Sequence, residues 1–143
     1  MSKPVPLVLF NASVILAAIK SPSGGSGKIA FWSKQKKIKG LVSEIIFDEA
    51  LRNAVRINTE PKQISQQIRK MGIEVCIAPT LSSVNKFNSM VAYPGDAHVL
   101  ASADENNVDF LVTLDKKHLL ILQKKISQFK IVSPGELIAI LEG

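Results

Sequence analysis

Cysteine, aromatics, arginine and long apolar runs are all scarce in this chain. A single thiol, Cys76, forms no internal disulfide and cannot build a thiolate metal site alone, so the fold does not depend on an oxidising compartment. Aromatic residues make up 6%, too few for base-stacking platforms of the single-strand-binding kind to dominate. Apolar runs such as Pro4–Phe10 and Leu119–Leu122 fall far short of the ~20 residues of a membrane span. Lys3 precedes an apolar stretch, but Asn11 and Ser13 interrupt it and no signal-peptide cleavage site follows. Internal repeats and low-complexity tracts are missing too. The expectation is a soluble, intracellular (cytoplasmic) chain with no membrane partner.

What remains is ordinary for a globular protein: 143 residues, 46% hydrophobic and 21% charged. That length suits one domain, residues 1–143, and that composition excludes intrinsic disorder. Acids are outnumbered, twelve against eighteen Lys and Arg, giving a formal charge of +6. Such a balance attracts polyanions by long-range potential and counterion release. Only three of the basic residues are arginines, and lysine is a point charge that suits phosphate backbones better than bidentate base reading. The same lysines also serve plain solubility.

Short apolar runs alternate with amphipathic stretches from end to end, the rhythm of a parallel α/β domain. Strands are expected at Leu7–Phe10, Ile38–Val42, Glu74–Ile77, Phe110–Thr113 and Lys130–Val132. Helices are expected over Ser13–Ile19, Lys28–Lys36, from Ser43 to about Val55, Pro61–Met71, from Pro94 to Asn106 or Asn107, Lys116–Ser127 and Pro134–Leu141. Ser43 reads as an N-cap, and Gly72 as a helix stop. Pro79–Ala92 mixes a short helix with loop. Five strands and about seven helices make one three-layer α/β/α sandwich around a central, mainly parallel sheet.

In open parallel sheets, ligands bind beyond the carboxyl ends of the strands. Asn11 directly follows the first strand, and Asp115 follows the fourth by two residues. Asp96 opens the helix that leads into that strand, and Glu49 lies six residues past Ser43. Three carboxylates and a carboxamide facing one crevice would repel one another unless a cation neutralised them. Hard oxygen donors select Mg²⁺ or Mn²⁺ over Zn²⁺.

These residues also match a pattern. Leu-Val-Leu-Phe-Asn-Ala-Ser-Val-Ile-Leu resembles the first strand motif of PIN domains, the nuclease fold of the toxin half of many prokaryotic toxin–antitoxin pairs. Ser43 with Glu49 resembles the second acidic motif, Asp96-Ala-His-Val-Leu-Ala-Ser-Ala the third, and Asp109-Phe-Leu-Val-Thr-Leu-Asp115 the fourth. The closing Ile-Val-Ser-Pro-Gly-Glu-Leu is similar to the family's usual ending, and the Ser-Pro-Ser-Gly-Gly-Ser loop to a subgroup of toxin components. The resemblance covers the whole chain.

It implies a metal-dependent endoribonuclease that hydrolyses RNA phosphodiesters, with Mg²⁺ or Mn²⁺ as cofactor. The implied partners are RNA and a cognate antitoxin, and the implied assembly is a homodimer. Glu49, Asp96 and Asp115 would be catalytic, and with Asn11 would form the metal site; Glu49 either ligates or orients the attacking water. Ser13 and Thr113 would hydrogen-bond the acids, while Lys116 and Lys117 would hold RNA phosphate.

One position departs from the pattern. The family carries Asp where this chain has Asn11, which offers a carbonyl oxygen but no charge, so metal binding should weaken. Three readings stand side by side: an Asp→Asn exchange made to silence a toxic enzyme, a naturally degenerate domain that binds RNA or protein without cleaving, or weaker activity carried by the other acids. His98 and His118 read as surface or partly buried side chains rather than ligands, Cys76 as an inert core thiol, and Asp109 as structural. Without the family pattern, Asn11 and Asp96 read as helix caps, and Asp48 is as good a local candidate as Glu49.

Overall fold

A computed structural model describes residues 4–143. Five strands, β1 (Leu7–Phe10), β2 (Lys39–Ser43), β3 (Glu74–Cys76), β4 (Phe110–Val112) and β5 (Lys130–Val132), form one sheet in the order β3-β2-β1-β4-β5. Every pairing is parallel; Leu9 of β1 lies between Leu41 of β2 and Leu111 of β4. The central strand reads as an unbroken apolar run because it is covered on both faces; Val8, Leu9 and Phe10 are fully buried.

Among the described residues, seven α-helices surround the sheet: α1 (Ala12–Lys20), α2 (Gly25–Lys34), α3 (Glu44–Arg52), α4 (Pro61–Lys70), α5 (Leu81–Phe87), α6 (Pro94–Glu105) and α7 (Pro134–Glu142). Right-handed crossovers decide their layers. From β1 the chain steps outward to β2 and β3, which puts α1 to α4 on one face. It then crosses back to β4 and β5, which puts α5 and α6 on the other. The packing agrees: α1 touches α2, α3 and α4, α5 pairs with α6, and α7 returns against α2. Such a change of direction makes a topological switch point, here between β1 and β4, and in open α/β sheets ligands bind outside the carboxyl ends of the strands at such a point. The three-layer sandwich and central parallel sheet expected from the sequence are present.

Three local differences have physical causes. The helix predicted from Lys28 starts at Gly25, because Gly27 lets the backbone turn tightly against Pro22; a Cβ at Gly27 would collide with the Pro22 carbonyl. The helix predicted over Lys116–Ser127 is instead a series of turns with a short 3-10 helix at Leu120–Leu122. Leu119, Leu122 and Ile126 are buried at three- and four-residue spacing, which tight turns satisfy as well as an α-helix. Bonds from Leu122 to Leu119, Gln123 to Leu120 and Lys125 to Leu122 close those turns. Cys76, expected in the core, is half-buried because β3 is an edge strand; Asn106 Nδ2 lies 3.6 Å from its sulfur. Helix α4 does stop at Gly72, whose φ of +67° suits a residue without a side chain.

Candidate active site

Asn11 joins β1 to α1, standing at the N-cap of the helix. Its backbone N–H extends the ladder to the Val112 carbonyl (3.0 Å), and its own carbonyl accepts from Val14 N–H (3.0 Å). The side chain does not cap the helix. It is buried and donates through Nδ2 to Thr113 Oγ1 at 2.9 Å. Thr113, fully buried just past β4, also accepts from the Asp115 N–H at 3.1 Å. One hydroxyl therefore joins the residue after β1 to the residue after β4, across the switch point. Ser13 adds a second tie, accepting from Leu114 N–H at 3.3 Å.

Asp115 sits in a tight turn whose backbone closes on its own side chain. Its Oδ1 accepts from the N–H groups of Lys117 (3.1 Å) and His118 (3.0 Å). Asp96 lies in the first turn of α6, where Tyr93 rather than Asp96 is the N-cap, and where a helix favours negative charge. A carboxylate oxygen of Asp96, one of Asp115 and a ring nitrogen of His118 all lie within 4.8 Å of one another. Burial pushes the Asp96 carboxyl above its ordinary range, and repulsion from Asp115 adds to this while His118 opposes it.

Glu49 projects from the middle of α3 and is half-buried. Burial raises its pKa; Arg52 counters this, and the charge of Asp96 raises it further. Glu49 thus feels the acidic group while standing outside its tight trio. Asp48, its neighbour, is exposed and pairs with Arg52 Nε at 3.0 Å. Ser43 is a helix cap, accepting from Ile46 N–H at 3.1 Å.

Lys116 and Lys117 are exposed beside Asp115, and neither forms an ion pair among the described residues. The remaining acids of this region have structural partners: Asp104 pairs with Lys86 at 3.4 Å, and Glu105 accepts from the Thr80 hydroxyl at 2.7 Å. His118 is the residue that sequence reasoning missed. Its signal was the Asp115-x-x-His118 spacing, which brings the ring back over the carboxylate, with Nδ1 3.1 Å from Asp115 Oδ2. His98, by contrast, takes no part in the trio; burial lowers its pKa.

The donor set fits a divalent cation. Two carboxylates at this separation repel one another unless something positive lies between them, and the Asp96 pKa is raised chiefly by burial, with the Asp115 charge adding to it.

The PIN domain family model matches residues 7–117. Among solved structures, a chain of the crystal structure of VapBC2 from Rickettsia felis, bound to a DNA fragment from their promoter, is similar with a TM-score of 0.65 and 13% identity. The alignment covers 89% of this chain and 98% of that one. No curated protein matches. No helix among the described residues is long and apolar enough to cross a membrane. Matched from the first strand to the lysines beyond Asp115, this chain belongs to the PIN domain family.

Proposed function

We propose that this chain is a metal-dependent endoribonuclease, the toxin of a toxin–antitoxin pair, attenuated by Asn11 at the first acidic position. The observation that carries the reading is the meeting of Asp96 and Asp115 at the β1/β4 switch point, tied to Asn11 through Thr113. Mg²⁺ or Mn²⁺ held there would offset charge on the phosphodiester and activate water. Asp96 and Asp115 would hold the cation, with the carboxamide oxygen of Asn11 as a neutral donor. Glu49 stands apart from the trio, and its raised pKa suits a group that takes a proton from the attacking water. The exposed Lys116 and Lys117 would grip phosphates flanking the scissile bond. The VapBC2 likeness supports an antitoxin as protein partner. A homodimer working in the cytoplasm completes the proposal.

A second reading, a degenerate domain that binds RNA or protein without cleaving, is favoured by one feature. Asn11 brings no charge and commits its amide to Thr113. The two readings part on Asn11→Asp. A hydroxyl both donates and accepts, so Thr113 can turn its hydrogen toward the new carboxylate and keep the tie. Mg²⁺ or Mn²⁺ affinity should rise, and chelator-sensitive cleavage of a structured RNA should appear or increase over the parent chain. An Asn11→Asp protein that binds metal and RNA yet leaves RNA intact would favour the degenerate module.

A further inference from the structure

His118 belongs to neither the family pattern set out above nor the proposed ligand set, yet it is the side chain in closest partnership with Asp115. Both side chains are about 30% exposed, shielded yet open to a ligand. An ionised carboxylate is acceptor-only, so in the 3.1 Å contact the imidazole Nδ1 carries the hydrogen and donates to Asp115 Oδ2. The ring is held in turn by Tyr93, edge-on with centroids 4.6 Å apart and planes at 87°. Tyr93 is the N-cap of α6, the helix that carries Asp96. The two carboxylates are therefore linked by a path through Tyr93 and His118 as well as by their own proximity.

Counting lone pairs sharpens this. A carboxylate offers about four acceptor sites. Asp115 spends two on Oδ1, accepting from Lys117 and His118 N–H, and one on Oδ2, accepting from the imidazole. One site on Oδ2 is left. We infer that His118 is a positioning residue that locks Asp115 so that it meets a cation through Oδ2 alone. The inference rests on the metal-dependent reading of the site. Without the ring, only the two bonds to Oδ1 orient the carboxylate; it can rock about them, and the position of Oδ2 opposite Asp96 is lost for part of the time. Partners of this kind typically carry ~10–100-fold in metal affinity.

The test has two independent readouts. Long-range ¹H–¹⁵N NMR of the full chain in chelator, at a pH where the rings are neutral, should show the Nδ1–H tautomer for the signal that vanishes in His118→Ala. The Nε2–H tautomer would overturn the inference. Mn²⁺ titration calorimetry then compares the parent chain with His118→Ala, His118→Asn and His118→Gln, each checked for an unchanged melting temperature in chelator. Asn places its amide nitrogen where Nδ1 lies, whereas Gln reaches the Nε2 position. His118→Ala should weaken Mn²⁺ binding ~10–100-fold, His118→Asn should restore most of it, and His118→Gln should not. Rescue by Gln but not Asn would make the ring a direct ligand and overturn positioning, as would an unaffected His118→Ala. Asp96→Asn separates the two levels of argument. If it abolishes binding while His118→Ala does not, only the inference falls; if the parent chain binds no Mn²⁺, the metal reading and the inference fall together.

Discussion

Strand β4 is bracketed by two aspartates in opposite surroundings. Asp109, at its amino end, accepts the Leu7 N–H at 2.8 Å and so ties the entry of β4 to the entry of β1. A wide concavity of about 630 Å³ opens at this end, lined in part by Pro6, Asp109, Phe110 and Lys130, with no second carboxylate to make a cation site. Asp115, past the carboxyl end, is also hydrogen-bonded, but to its own turn and to His118, and it faces Asp96. The same residue type is a clamp where its carboxylate stands alone against a backbone N–H, and the proposed site residue where a second carboxylate faces it. Position relative to the switch point, not residue identity, makes the difference.

The sharpest way to break that comparison is to neutralise each aspartate in the Asn11→Asp background, where activity is expected. Asp115→Asn should abolish metal-dependent RNA cleavage, a loss well beyond the ~10–100-fold typical of an outer partner, and leave the melting temperature near that of the parent. Asp109→Ala should do the reverse. It removes a hydrogen bond at an exposed strand entry, a cost of about 1 kcal/mol, seen as a melting shift of a few degrees with cleavage unchanged. If Asp109→Ala lost activity to the same degree as Asp115→Asn, the two ends would not be functionally distinct.

Thr113 tests the link between the ends of β1 and β4. Its hydroxyl accepts two N–H groups at the switch point, and Thr113→Val keeps the shape while leaving both without this partner. A buried donor left unsatisfied costs about 1–3 kcal/mol, so thermal melting should fall by several degrees. Metal affinity should fall with it, because Asn11 and Asp115 lose their common anchor. A stable Thr113→Val protein with unaltered metal binding would show that the two strand ends are positioned by backbone alone.

The fold was legible because its cues are local and repeated. Apolar runs such as Leu7–Phe10 mark doubly covered strands, and punctuation such as Gly72 and the Ser133-Pro134-Gly135-Glu136 start of α7 marks helix ends. There Ser133 and Glu136 cap each other's N–H groups at 3.1 and 2.9 Å. The segment after Asp115 was misread because its apolar spacing serves 3-10 turns and α-turns alike. That error also hid His118: on a solvated α-helix the ring would be one polar residue among lysines, whereas the tight turn folds it onto the carboxylate three residues earlier. Asp48 and Glu49 were inseparable in sequence, since either can be drawn on one side of a helix; only the packing of α3 turns Glu49 inward and leaves Asp48 to Arg52.

The smallest expected effect concerns stability rather than catalysis, and it sets the buried acids of the candidate site against an exposed acid held by hydrogen bonds. Asp96 and Glu49 both have pKa values raised in the folded chain, each chiefly by burial. The sign follows from linkage. A group whose folded pKa lies above its unfolded value favours the folded state fully below the unfolded pKa, and that contribution is lost as pH rises through the folded pKa. In chelator, these two acids should therefore make the protein less stable at neutral pH than just above pH 4, against the trend set by Glu105, whose pKa the Thr80 hydrogen bonds lower. Both groups are partly solvated, so the effect should amount to a degree or two of melting temperature. Asp96→Asn removes one charge from the repelling pair and should melt slightly higher than the parent in chelator at pH 7, with a flatter dependence between pH 4 and 7. Added Mn²⁺ should stabilise the parent and leave Asp96→Asn unmoved, reversing their order. Glu105→Gln, which loses a favourable contact instead, should melt lower at pH 7 in chelator and respond to Mn²⁺ as the parent does. An Asp96→Asn protein less stable than the parent under chelation would mean that Asp96 is held by compensating contacts, and that the carboxyl end of the sheet carries no stored repulsion for a cation to relieve.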